Sequence, residues 1–319
     1  MNSRRGGWAV WFAFATLFVT VFGPALVNDA PVVLLDEGWR FPALAEIAGG
    51  PQRARDGSTW AEWSRAQKDA NFAMWPLWRQ DADATDLERI CQSPSFAHPF
   101  GCDDTGRDVL ARMVRGARAT IGASLVGVLL AAVIGSLLGA VAGSMRGVCD
   151  AIVLRAIEVF VCFPTLLLLL AVGACFGSSP SGVVVAFALA MWPSFARVVR
   201  GELLSLRERE YVLNARELGV RGARLFFGHV FPQLRGQVAV VAAFCVGSAI
   251  VAESTLSFLG VGPGPQSGSW GSVLAQGKAN LHLGVWHLWA IPGASIVISV
   301  LCCHALADRL RANGDDARA

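Results

Sequence analysis

The sequence predicts an all-α membrane protein with six transmembrane helices and a large external loop between the first two. Three observations predict it. Apolar residues fill 54% of the 319 positions and charged residues only 16%, whereas a soluble domain carries about 25% charge. The charges cluster and leave neutral runs long enough to cross a bilayer. The short loops on one side carry the arginines, which sets an orientation. The net charge of +3 is small, and topology accounts for where the arginines sit. Composition therefore points to no nucleic-acid partner.

The first span covers about 8–27, after Arg4 and Arg5. Its apolar run exceeds the ~7–15 residues of a signal core, so an uncleaved anchor is expected. The second lies within the charge-free stretch 119–145. The third and fourth share the neutral run 159–196, split by the turn signal Gly177-Ser178-Ser179-Pro180-Ser181-Gly182. That run is too long for one span of ~20 residues and suits a hairpin. The third span begins near Ala151. The fifth covers about 237–256 and the sixth about 285–306. Arg146, seven arginines between Arg200 and Arg235, and Arg309, Arg311 and Arg318 fall on one side. The short loops opposite hold only Lys278. Both termini are therefore expected in the cytoplasm, with 309–319 as a cytoplasmic tail. The loop 28–118 is long enough to escape the charge rule and is placed outside.

That outer loop is expected to fold. It carries Trp39, Trp60, Trp63, Trp75 and Trp78, which suit the bilayer interface, a partner or a small core of its own. Its end, His98 to Arg112, reads as a turn followed by a helix starting near Gly106, capped by Asp104 or Thr105. His98 with the aspartates matches neither zinc nor EF-hand spacing, so no metal is expected. Six of the eight cysteines lie in or beside apolar spans and read as small buried hydrophobes. Cys91 and Cys102 fall in the outer loop, where either a disulfide or two independent thiols is compatible with the sequence.

Within the spans, Gly135, Gly139 and Gly143 form a doubled GxxxG. Such a face lets another helix approach closely, from this chain or another. Phe163-Pro164 should bend the third span. Glu158 lies near the cytoplasmic end of that span, and Glu253 lies deep in the fifth. A carboxylate there needs an aqueous path or a hydrogen-bonding partner, and the sequence leaves both open. The spans hold no chain of acids and histidines suited to proton relay.

The polar island 200–235 separates two spans. Its residues 200–218 are helix-compatible, Gly219 can end that helix in a left-handed cap, and Ala223–Val230 can form a second short helix before Pro232. The segment from Glu210 to Gly219, with Phe231-Pro232 after it, resembles the EAA loop of ABC-importer permeases. Trp192-Pro193, Val199-Arg200-Gly201, Asp103-Asp104 with Gly106-Arg107-Asp108, the run Glu253 to Gly260, and Trp270-Gly271 resemble the dipeptide/oligopeptide branch. The likeness runs from about 98 to 308 in the expected order. The long outer loop and Gln276 to Leu281 are similar to C-type subunits with enlarged loops that serve oligopeptides and peptide antibiotics. Leu213 and Asn214 depart from the EAA pattern, His229 replaces an apolar residue, and Cys102 stands where the family has Thr, which fits a local disulfide of Cys91 and Cys102.

The resemblance implies a type I ABC importer permease fold in the bacterial inner membrane. With the spans above, the expected organisation is a cytoplasmic stub and first transmembrane helix over 1–27, a periplasmic loop region over 28–118 and a permease core of five helices with its EAA-type coupling loop (200–235) over 119–308. The resemblance implies partnership with a homologous B-type permease, two ATPases and a periplasmic binding protein. Glu210, Ala215, Arg216, Glu217, Gly219, Arg221, Arg224 and Pro232 would serve ATPase coupling, and Glu253, Ser257 and Phe258 the pathway or gate. The chain itself would be no enzyme and need no cofactor. It has no phosphate loop, because Gly277-Lys278 lacks the spacing and the following Ser or Thr. Two other readings compete. A secondary carrier would rely on Glu253 and Glu158, and would need coupling-ion residues and usually repeats. A membrane hydrolase would need more than His282 and His287, which have no acid beside them.

Overall fold

The bilayer offers backbone groups no water, so the chain satisfies them within helices, and helices dominate the computed structural model. It describes residues 20, 22–23, 26–28, 30–35, 39–42, 72–74, 76, 78–145, 147–176, 179–209, 212, 214, 217–218, 231–262 and 268–316. The helices are α1 (Val109–Ala117), α2 (Ala123–Ser144), α3 (Val148–Cys162), α4 (Thr165–Phe176), α5 (Pro180–Leu206), α6 (Phe231–Phe258), α7 (Trp270–Ala279) and α8 (His287–Asp316). A π-turn, Arg118–Gly122, joins α1 to α2. The outer loop adds strands β1 (Val33–Leu35), β2 (Trp39–Arg40) and β3 (Phe72–Met74), antiparallel in the order β2-β1-β3.

Among the described residues, four stretches are long and apolar enough to span a membrane: Val109–Ser144, Pro180–Leu206, Pro232–Phe258 and His287–Ala312. The pair α3 and α4, bent by 92°, makes a fifth if it is one broken span. The break falls at Phe163-Pro164, as the sequence reading expects, because proline cannot donate into the helix ladder. The first span of the sequence reading, 8–27, falls largely outside the described residues.

Two compact units make up the described chain. One contains 123–256 and 298–316, the other 20–122 and 257–297. In the first, the glycine stripe of α2 meets α5. A Cβ added at Gly139 would lie 2.5 Å from the carbonyl oxygen of Ala196, and one at Gly143 would lie 2.9 Å from Leu203. Gly135 sits equally close to the carbonyl of Trp192. The close partner of this stripe is thus a helix of the same chain. Phe187, Phe195 and Ala131 are buried in the core formed there. Phe160 of α3 stacks edge-on against Trp192 at 5.3 Å, so α3 packs on the same helix.

The opposite side of α2 stays uncovered. Leu129, Val133 and Leu137 are more than half exposed, at a spacing of four that keeps them on one face. In a membrane such a face meets lipid or another helix. Gly139→Leu is expected to lower the thermal midpoint of the detergent-purified protein, since overpacking a close contact costs about 1–3 kcal/mol. Gly293→Ala, in α8 with nothing within 4 Å of the added carbon, should not. Equal midpoints for both variants would refute the close-contact argument.

Candidate functional site

Two regions carry the polar chemistry, one in each unit. In the second unit, a tight turn precedes α1. Asp108 caps the helix, its side chain accepting from the N–H of Ala111 at 2.8 Å. The sequence reading placed the cap at Asp104 or Thr105 and the start near Gly106. The structure corrects this by about one turn, and the reason is local. Gly106 has φ +76, a left-handed conformation that cannot open a right-handed helix.

Asp103 binds the turn together. Its carboxylate accepts from the Thr105 N–H and hydroxyl and from the Arg107 N–H and Nε, at 2.8 to 2.9 Å. Arg112 Nη1 donates to it at 2.5 Å, and donates also to Gln276 of α7. Asn280, one turn further on, donates to Asp104 at 3.0 Å. Trp270 Nε1 donates to the carbonyl of Met113 at 2.9 Å. The turn, α1 and α7 are therefore one polar-cored block. Burial pushes the Asp103 carboxyl up, but the Arg107 N–H, the Arg112 guanidinium and the Thr105 donors outweigh it and hold it below its ordinary 3.8.

His98 completes this block. Its Nδ1 lies 2.7 Å from Asp108 Oδ2, and its Nε2 lies 2.7 Å from Arg89 Nη1. Guanidinium only donates, so Nε2 accepts and Nδ1–H donates to the carboxylate. Both ring nitrogens thus have protein partners. His287 is buried with Nε2 donating to the Cys102 carbonyl at 3.0 Å. It braces the turn, a role remote from the hydrolase reading of His282 and His287. Cys91 and Cys102 are free thiols in this structure. Burial and Asp108 raise the Cys102 thiol to about 11.

In the first unit, α5 ends at Leu206 and runs into the polar island. The sequence reading allowed one helix over 200–218; the helix instead stops at Leu206, and Arg207 to Arg209 form a turn. Arg200 grips Asp150 of α3 with two parallel bonds, Nε to Oδ1 at 2.5 Å and Nη2 to Oδ2 at 2.7 Å. Arg207 donates to the carbonyl of Ser144, the last residue of α2. Leu203, Leu206, Val199 and Leu234 form a buried cluster beside these bonds. Beyond it Val212 is buried, while Glu217 and Leu218 are exposed. Glu210, Ala215, Arg216, Gly219, Arg221 and Arg224 lie outside the described residues. Pro232 is exposed in the first turn of α6.

Glu253 is fully buried in α6, 22 residues from Phe231 and so about 33 Å along the axis. Ser257 is buried on the following turn, and Lys278 lies over the Phe258 ring at 4.9 Å. The structure does not bring Glu158 to Glu253 as a carrier would use them: Glu158 is exposed and paired with Arg155 at 2.7 Å. The sequence reading missed Arg112, Gln276 and Asp150 as anchors. Their partners lie up to 164 positions away, and only the fold connects them.

Several long apolar helices, a bent helix pair and a charged segment between two of the long helices define a polytopic membrane protein. Residues 113–315 match the family model described as "Binding-protein-dependent transport system inner membrane component". The chain belongs to that family and is the multi-pass permease subunit of a bacterial ABC importer, with ATP hydrolysis on separate subunits. It is 35% identical over 243 residues to the glutathione transport system permease protein GsiD of Pectobacterium atrosepticum, covering 75% of this chain and 80% of that one. It is 36% identical over 240 residues to a putative peptide permease protein of Brucella ovis, covering 74% and 79%. The inward-facing MetNI methionine ABC transporter has a similar fold, with TM-score 0.52 at 18% identity, covering 62% of this chain and 94% of that one. The family overturns the self-contained carrier reading.

Asp103 is ionised at a lowered pKa, so it contributes stability above its unfolded value of 3.8 that is lost as pH falls through the lower folded value. The wild type should therefore lose thermal stability on acidification below about pH 4. Asp103→Asn should be destabilised at neutral pH by about 3–5 kcal/mol, because Arg112 loses its buried partner. It should also show a flatter acid limb. A variant with the wild-type midpoint at pH 7 would rule out this account of the turn.

Proposed function

We propose that this chain forms half of a translocation path for peptides or peptide-like solutes and that its 200–235 segment docks onto ATPases. The docking reading is supported by α5, whose last residues, Arg200 to Leu206, begin that segment and are pinned by Arg200 on Asp150 and by the buried cluster with Leu234, as a lever for such docking would be. The substrate class rests on the relatives named for glutathione and for peptides. The complex would hold a homologous B-type permease, two ATPases and a periplasmic binding protein. Both termini would face the cytoplasm, and the outer loop with its sheet would face the periplasm. Within the island, Arg216, Arg221 and Arg224 would meet the ATPase surface. Glu210 and Glu217 would supply carboxylate contacts, and Gly219 the turn after Ala215. Glu253, with Ser257 and Phe258, would line the path or gate; what supports this is the burial of an ionisable residue within a membrane-spanning helix, where such residues commonly serve a pathway.

A photo-crosslinker in place of Arg221 in native membranes is expected to capture a Walker-motif ATPase. Capture of no ATPase, while the ATPase still co-purifies with the permease, would move the docking site off this segment. Glu253→Gln keeps the shape and removes the charge. Uptake by the assembled complex is expected to fall about tenfold, equivalent to roughly 1.4 kcal/mol, with the amount of complex unchanged. Wild-type uptake would leave Glu253 a structural hydrogen-bonding group.

A further inference from the structure

Arg200, near the end of α5, and Arg207, its C-cap, grip the connection between α2 and α3 from both ends. Arg200 and Arg207 are seven residues apart, two turns of a helix, and so lie close to one face. Arg207, at the C-terminal end of α5, reaches the carbonyl of Ser144, one of the four a helix leaves unsatisfied at its C-terminus. Arg200 holds Asp150, which sits in the first turn of α3, where a negative charge also favours the helix. Between the two anchor points, Gly147 turns the chain at φ +91. The connection is short and clamped twice by the same helix.

The bond to Asp150 uses both carboxylate oxygens and two guanidinium nitrogens, at 2.5 and 2.7 Å. A bidentate pair fixes orientation as well as distance. The helix it holds, α3, is half of the span bent by 92°. The helix that holds it leads directly into the polar island. Packing of Phe160 on Trp192 adds a second contact further along the same two helices.

We propose that the Asp150–Arg200 pair is the joint that makes α3 follow α5 when the 200–235 segment is moved by its ATPase, so that the bent span changes position with each cycle. The proposal rests on the docking reading of that segment. Asp150 is a positioning residue: it acts on transport through α3 and touches neither solute nor nucleotide. Arg207 on Ser144 keeps the neighbouring end of α2 in register while α3 is drawn along.

The test is uptake per ATP hydrolysed by the complete complex, with its binding protein, in proteoliposomes. Asp150→Asn is expected to cut uptake per ATP about fivefold to tenfold, while assembly and ATP hydrolysis persist. Asp150→Glu, which keeps the charge and can still reach Arg200, is expected to retain most of the coupling. The proposal is overturned if Asp150→Asn couples as well as the wild type. It is overturned equally if uptake and assembled complex fall together, or if Asp150→Glu is as uncoupled as Asp150→Asn. Failure of the docking reading has a different signature, a missing ATPase adduct at position 221 in the otherwise wild-type complex.

Discussion

The near contact of the α2 and α5 backbones is the constraint on which the first unit depends. Lipid tails are as apolar as the side chains, so burial alone gives helices little reason to associate. Close approach supplies the dispersion contacts instead. Only glycine at 135, 139 and 143 leaves room for the carbonyls of Trp192 and Ala196 and the side chain of Leu203. Once α5 is seated there, its other faces become surfaces on which Phe160 and Leu234 pack. The position of the helix that enters the polar island is thus decided by three missing side chains on its neighbour.

Charge handling follows a similar economy in each unit. Charged groups near apolar helices are paired by short, mostly charge-assisted bonds. Asp103 collects donors from Thr105, Arg107 and Arg112, and the guanidinium of Arg112 also engages Gln276. Such saturation matters because a buried carboxylate without partners would be protonated or expelled. Glu253 is likewise fully buried, in the last two turns of α6.

Much of this was legible in the sequence because membrane physics leaves few options. Neutral runs located the four long spans and the bent pair. Phe163-Pro164 located the bend, and the glycine spacing located a close helix contact. The identity of the helix at that contact was not legible, because GxxxG describes one surface and says nothing of its partner. The N-cap at Asp108 was misplaced, since Asp104, Thr105 and Asp108 are all competent caps; the left-handed Gly106 decides between them. The tie between Arg112 and Gln276 had no local signature. The small sheet β2-β1-β3 was also hidden, since strands of two or three residues are too short to show an alternating pattern.

The two arginine–aspartate pairs differ in a way that bears on their roles. Arg112 and Asp103 are almost fully buried, at 2% and 0% exposure, while Arg200 and Asp150 keep 23% and 22%. Breaking the first pair strands a charge in the interior. Breaking the second lets water take over, so its contribution to stability is about 1 kcal/mol or less. Yet the second pair has the stricter geometry, with two parallel bonds. A contact that adds little to stability but fixes direction is suited to transmit movement. The buried pair is suited to hold a turn still. The different exposure of the two pairs therefore suits one to a static brace and the other to the proposed joint, although both are built from the same two residue types.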